Sequence, residues 1–145
     1  AAFDMRPQRG DGRFKGVAVV ENDVDISELE RLKAAGVIGV AFNVPFHGAD
    51  YYLKAAPLLE KLTSLGLFLQ IQVEQDQLLD LLPLIERSNV RLVFDHCGRP
   101  SVAQGLQGKA FQALLGPPSP SPWWSPSWSW CLRRLCSSSP PSQPP

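Results

Sequence analysis

Val90-Arg91-Leu92-Val93-Phe94-Asp95-His96-Cys97-Gly98-Arg99-Pro100 runs a short apolar segment directly into Asp, His, Cys, Gly, Arg and Pro. A strand buried on both faces has no room for such groups in its middle, so they gain a use only where the strand emerges at the ligand-binding rim of an α/β sheet. The stretch therefore predicts a strand over residues 91–94 that delivers His96 to a functional edge.

Working outward, three more apolar runs, at residues 16–20, 37–42 and 67–73, predict strands, and helical patterns separate them. Residues 25–35 open with Asp25-Ile26-Ser27-Glu28, a capping-box spacing. They carry Ile26, Leu29 and Leu32 at helical intervals and stop at Gly36. Residues 50–65 place Leu58, Leu59, Leu62 and Leu65 on one face before Gly66, with Pro57 marking a fresh helical start. Residues 75–87 line up Leu78, Leu81, Leu82 and Ile85, with Pro83 as a kink, and a fourth helix is expected over 102–115. Strict alternation of strand and helix predicts a parallel sheet. Polar residues follow every strand: Glu21 and Asn22, then Asn43, then Gln72 and Glu74, then Asp95 and His96. A rim fed by each consecutive strand fits a TIM barrel better than a doubly wound sheet, which concentrates its ligand loops at one switch point. The fold expected is α/β, a partial (β/α)8 barrel of about four βα units over residues 1–115.

Residues 116–145 break with this composition. They hold none of the 14 acidic residues but nine of the 14 prolines, nine serines and all four tryptophans. Proline removes backbone donors and breaks register, so the stretch is expected to be a disordered low-complexity tail. Two origins fit: a Pro/Ser-rich recognition segment, or a GC-rich message translated out of frame, which the abrupt shift favours. The chain starts without Met, which points to a missing upstream segment.

Several function classes lose support. The formal net charge is zero and no Lys/Arg cluster marks a helix, which argues against nucleic acid as a partner. No apolar run reaches the roughly 18 residues of a membrane span, and the amino end lacks signal-peptide order. The three cysteines form neither a disulfide framework nor a zinc pattern, so a reducing cytoplasm is the expected location. No GxGxxG or GxxxxGK[ST] motif follows a strand, which lowers nucleotide binding.

Candidate site residues follow from position and chemistry. His96 has the imidazole needed for a general base, a hydrogen-bond donor to a carbonyl, or a metal ligand. Asp95 either orients His96 or pairs with Arg99. Arg99 either binds a substrate carboxylate or holds the loop. Asn43 and Gln72 end strands and can contact substrate, although asparagine is also a plain turn former. His47 sits on the loop after the second strand, where a solvated histidine is the commoner finding. Cys97 lacks an orienting partner for nucleophilic work and is expected to pack.

With these stretches in place, the chain resembles the amidohydrolase-2 branch of the amidohydrolase superfamily, most nearly its 2-pyrone-4,6-dicarboxylate lactonase-like members. The resemblance rests on Arg13-Phe14-Lys15-Gly16-Val17-Ala18-Val19-Val20, Ala35-Gly36-Val37-Ile38-Gly39-Val40-Ala41-Phe42-Asn43, Leu69-Gln70-Ile71-Gln72 and Phe94-Asp95-His96-Cys97-Gly98-Arg99-Pro100. It implies barrel strands three to six and a hydrolase that activates water with His and Asp, with or without a divalent metal such as zinc. His96 would then be the active-site histidine of the sixth strand, and its metal ligand in a metal-dependent branch. The implied substrate is a small carboxylic derivative such as a lactone. The family's first-strand His-x-His and eighth-strand Asp are absent from this chain. Ala41 stands where the lactonases carry a carboxylate-binding arginine, which argues against a dicarboxylate. The chain by itself is accordingly expected to be a truncated, inactive piece of a hydrolase. The rival expectations are a self-associating half-barrel, hence a homo-oligomer, and an interaction protein acting through its Pro/Trp-rich tail.

Overall fold

The computed structural model describes residues 15–115. The expected tail, the domain boundary after residue 115, and the start of the first matching stretch at Arg13 and Phe14 lie at or outside the ends of that range.

Four strands, β1 (Gly16–Ala18), β2 (Val37–Asn43), β3 (Phe68–Gln72) and β4 (Arg91–Phe94), form one sheet in the order β1-β2-β3-β4. Every neighbouring pair is parallel. A parallel pair cannot be joined by a tight hairpin, so each connection crosses over through helix. The helices are α1 (Ile26–Ala34), the short α2 (Val44–His47) and α3 (Ala49–Tyr52), then α4 (Ala56–Leu65), α5 (Gln77–Arg87) and, after β4, α6 (Lys109–Leu115). The architecture is four consecutive βα units of a (β/α)8 barrel.

Alternation along the strands separates two faces. Val40 and Phe42 of β2 pair in register with Leu69 and Ile71 of β3, and all four are buried. They meet Leu29 of α1, Leu58, Leu59 and Leu62 of α4, and Leu78, Leu81 and Ile85 of α5 in one core. The opposite face carries Gly39, Ala41 and Asn43 beside Phe68, Gln70 and Gln72, then Arg91 and Val93. Along β2 and β3 this face turns from Gly39 and Phe68 to the polar Gln70, Asn43 and Gln72 toward the carboxyl ends. Phe68 lies over Gly39, where a Cβ would stand 2.5 Å from its ring, so the glycine makes room for the aromatic.

Several local expectations are corrected. The capping box at Asp25 does not form: its side chain makes no cap bond, and Glu28 pairs with Arg31 instead. Ile26, expected on the apolar face of α1, is exposed: it is the first residue of the helix, and the buried face begins at Leu29. The segment after the second strand is not loop: Pro45 sits in the first turn of α2, where a missing N–H costs nothing. The expected helix over 102–115 is a 3-10 turn (Val102–Gln107) followed by α6, because Gly105 and Gly108 interrupt it. Pro57 does open α4 afresh, and Gly66 ends it in the left-handed conformation.

Candidate active site

All four carboxyl ends of a parallel sheet point the same way, so the groups that follow β2, β3 and β4 gather along one edge. At its β4 end is Asp95, the first residue beyond that strand. Its Oδ1 accepts the His96 backbone N–H at 3.0 Å, and its Oδ2 accepts the Gln70 side-chain amide at 3.3 Å. His96 Nε2 lies 3.7 Å from the same Oδ2, and the imidazole is 54% exposed. Asp95 thus faces His96 and not Arg99. A carboxylate anchored by two other donors thus stands beside the imidazole.

The backbone carrying His96 is unusual. His96, Cys97, Gly98 and Arg99 all have positive φ, at 48°, 54°, 70° and 38°. Left-handed backbone costs roughly 1–3 kcal/mol for a residue other than glycine. Three such residues in a row with one glycine must therefore be held by their surroundings. The Arg99 guanidinium pairs with Glu74 on the loop after β3, and the Gln75 N–H donates to the Arg99 carbonyl at 2.9 Å. Gly98 is buried against Leu114 of α6. Arg99 therefore clamps two rim loops, and its charge is already met by Glu74. Both groups are nearly half exposed, so the pair contributes under about 1 kcal/mol. Cys97, expected to pack, is exposed, because the left-handed turn carries it away from the core.

Asn43 and Gln72 are register partners at the ends of β2 and β3. Both are half-buried. The Asn43 backbone N–H donates to the Tyr52 hydroxyl at 2.9 Å. His47 follows β2, two strands from β4 in the sheet, and sits in a ring cluster. It stacks on Tyr51 with centroids 4.9 Å apart and meets Phe46 and Tyr52 edge-on. Tyr52, missed by the sequence reading, stacks on Phe42 and is buried. Gln70 and Tyr51 were also missed. Alternation in register with Gln72 was the available signal for Gln70; nothing in the local pattern marked the tyrosines.

Tyr51 donates its hydroxyl to Glu21 on the loop after β1. That hydrogen bond, with partial burial and the nearby negative charge, holds the Tyr51 pKa above its ordinary value of 10.0. The fold thus favours the protonated phenol. Its contribution to stability is complete below the ordinary pKa and is lost as pH rises through the raised one. In urea unfolding across alkaline pH, the stability gap between wild type and Tyr51→Phe is expected to close above pH 10; a gap that stays constant would show the bond does not act on stability.

Among the described residues, no three His, Cys, Asp or Glu side chains gather as a metal-binding set. Among the described residues, His96 and Asp95 alone do not make a metal site. No described helix is long and apolar enough to cross a membrane.

A parallel half-barrel with an Asp-His pair at its carboxyl rim belongs to the class of TIM-barrel proteins, whose sites lie at that face. Residues 1–128 match the sequence model of the amidohydrolases of the Amidohydro_2 group, and the chain belongs to that family. It is 31% identical over 106 residues to a 2-pyrone-4,6-dicarboxylate hydrolase of Comamonas testosteroni, covering 72% of this chain and 35% of the relative. The chain thus spans about a third of that relative's length. Among solved structures it is similar to an Acinetobacter baumannii protein assigned as a 2-pyrone-4,6-dicarboxylic acid hydrolase, with citric acid bound. That likeness has a TM-score of 0.57 and 26% identity, and covers 70% of this chain and 39% of the other. A Pseudomonas putida protein assigned the same way shares the fold, with a TM-score of 0.64 and 22% identity over 90% of this chain and 53% of the other.

Proposed function

We propose that this chain supplies one side of the active site of a hydrolase that opens a lactone or similar carboxylic derivative. The observation that carries the reading is His96 set beside the anchored Asp95 at the carboxyl rim, in a chain of a hydrolase family. Water attacks the carbonyl carbon, forming a new C–O bond and placing negative charge on the carbonyl oxygen. His96 takes the water proton, Asp95 holds the imidazolium, and collapse breaks the ring C–O bond as the proton passes to the leaving oxygen. Asn43 and Gln72 orient the substrate from the neighbouring strands, while Arg99 and His47 flank the approach.

Hydrolysis needs a group for the developing oxyanion as well as a water activator. The described residues supply the second alone, and four strands do not close a barrel. Residues 15–115 by themselves are therefore not a catalyst. Grafting them in place of the matching segment of the Comamonas testosteroni hydrolase tests both statements. The 145-residue chain should release no acid from a lactone panel in a pH-stat, and a folded graft should. A folded graft inert toward every lactone would end the proposal.

One observation favours a second reading. Within the described residues β1 and β4 each pair on one side only, leaving two open sheet edges that invite pairing with a second copy. A dimer in light scattering would support that assembly, and a monomer would remove it.

A further inference from the structure

β3 grips the turn that carries His96 at both of its ends. At the far end, the Gln75 N–H donates to the Arg99 carbonyl and Glu74 pairs with the Arg99 guanidinium. At the near end, Gln70 in the middle of the strand donates its side-chain amide to Asp95 Oδ2. The first grip fixes the path of the loop. The second acts on the carboxylate that faces the imidazole.

The sheet explains why residue 70 makes this contact. Leu69 and Ile71 turn into the core, so Gln70 stands on the opposite face, half-buried. Its register partner on β4 is Val93. Asp95 lies two residues beyond Val93, and Phe94 between them is still extended, at φ −93° and ψ 119°. Alternation therefore returns Asp95 to the side of Gln70. Two rises along one strand and one step across to the next place such a pair roughly 8 Å apart along the backbone. Glutamine has the length to bridge that gap; an asparagine is one methylene shorter.

The bond has a geometric consequence. The terminal torsion of an aspartate is soft and roughly two-fold. The His96 backbone N–H holds Oδ1, which by itself leaves Oδ2 free to swing. Gln70 fixes Oδ2, and Oδ2 is the oxygen 3.7 Å from His96 Nε2. More than half of the imidazole is exposed, so packing contributes little to its orientation. From this we infer that Gln70 is a positioning residue: through Asp95 it sets the orientation of the His96 ring, and with it the direction from which His96 meets the water it activates. The catalytic part of the inference rests on the hydrolase reading; the orientation of the ring rests on the contacts alone.

Gln70→Met keeps length and bulk and removes the amide. In the isotope-labelled 145-residue chain, with no ligand added, carbon-13 relaxation reads the order of the His96 ring. Gln70→Met should lower the ring order parameter by about 0.2, a step from rigid toward flexible. Asp95→Ala should lower it as far, with no further drop when the two are combined, and should also shift the side-chain amide signals of Gln70. A His96 ring unchanged in Gln70→Met overturns the inference, as do Gln70 amide signals that ignore Asp95→Ala. The amide shift keeps the test decisive even where Gln70→Met fails to fold.

The same cycle in the grafted enzyme, with 2-pyrone-4,6-dicarboxylate as probe, reads the catalytic part. Gln70→Met should lower kcat about three- to thirtyfold with KM within about twofold, and should cost under about twofold more once Asp95 is alanine, since residues in one hydrogen-bonded network are not additive. Equal losses with and without the Asp95 carboxylate, or a change confined to KM, would show that Gln70 acts on the fold or on the substrate directly, and would overturn the inference. A folded wild-type graft that opens no lactone ends the hydrolase reading, and the ring relaxation then decides the positioning alone.

Discussion

Replacing His96 by alanine is expected to lower kcat/KM for lactone opening by about 10²–10⁴-fold, the usual range for removing a positioned general acid–base group. The measurement is made in the grafted enzyme, where the rest of the rim is present. Stability should hardly change, because the imidazole is more than half exposed and its near neighbour is the Asp95 carboxylate. Asp95→Asn is the informative companion. It keeps a hydrogen-bonding group for the His96 backbone and Gln70, and removes the charge that stabilises the imidazolium. It should therefore reduce kcat. Activity in His96→Ala within about threefold of wild type would dismiss the general-base role, given the loss such a group normally carries.

Gly98→Ala is expected to cost about 2–4 kcal/mol of folding stability, from left-handed backbone and overpacking together. Gly98 has a φ of 70°, where a side chain is strained whatever the space. There is also no space: the new Cβ would lie 2.7 Å from Leu114 Cδ1. Because Leu114 belongs to α6, relief would have to move that helix or unwind the turn that presents His96. Urea unfolding gives the cost directly. Gly98→Ala with Leu114→Ala separates its two parts, since trimming the leucine removes the clash and leaves the backbone strain. A single-variant loss below about 1 kcal/mol would mean that the turn relaxes freely, contrary to the usual cost of such conformations.

Most of the sheet was legible because its signals are short-range. β4 falls on the residues expected for it, and β2 and β3 shift by a residue or two at their ends. The apolar runs are bounded by glycines and polar groups, and that contrast needs no tertiary information. The capping box failed because Glu28 found a closer partner in Arg31, a choice among side chains that spacing alone does not decide. The region after β4 was harder. Its run of left-handed residues depends on Glu74, Gln75 and Leu114, which come from two other elements, so nothing near His96 announces it. The same holds for Arg99, whose partner lies 25 residues earlier. Tyr51 and Tyr52 escaped notice for a related reason: a tyrosine after a turn says little until Glu21 and Phe42 are known to face it.

The order of the strands has a consequence for how this chain is made. Each strand pairs with the one that precedes it in sequence, so no strand waits for a partner not yet synthesised. Loops closed between such neighbours are short, and their entropic cost is low. As the ribosome extends the chain, each βα unit can dock on the one just completed, so that among the described strands the growing edge is always the newest one and the outer edge of β1 stays open.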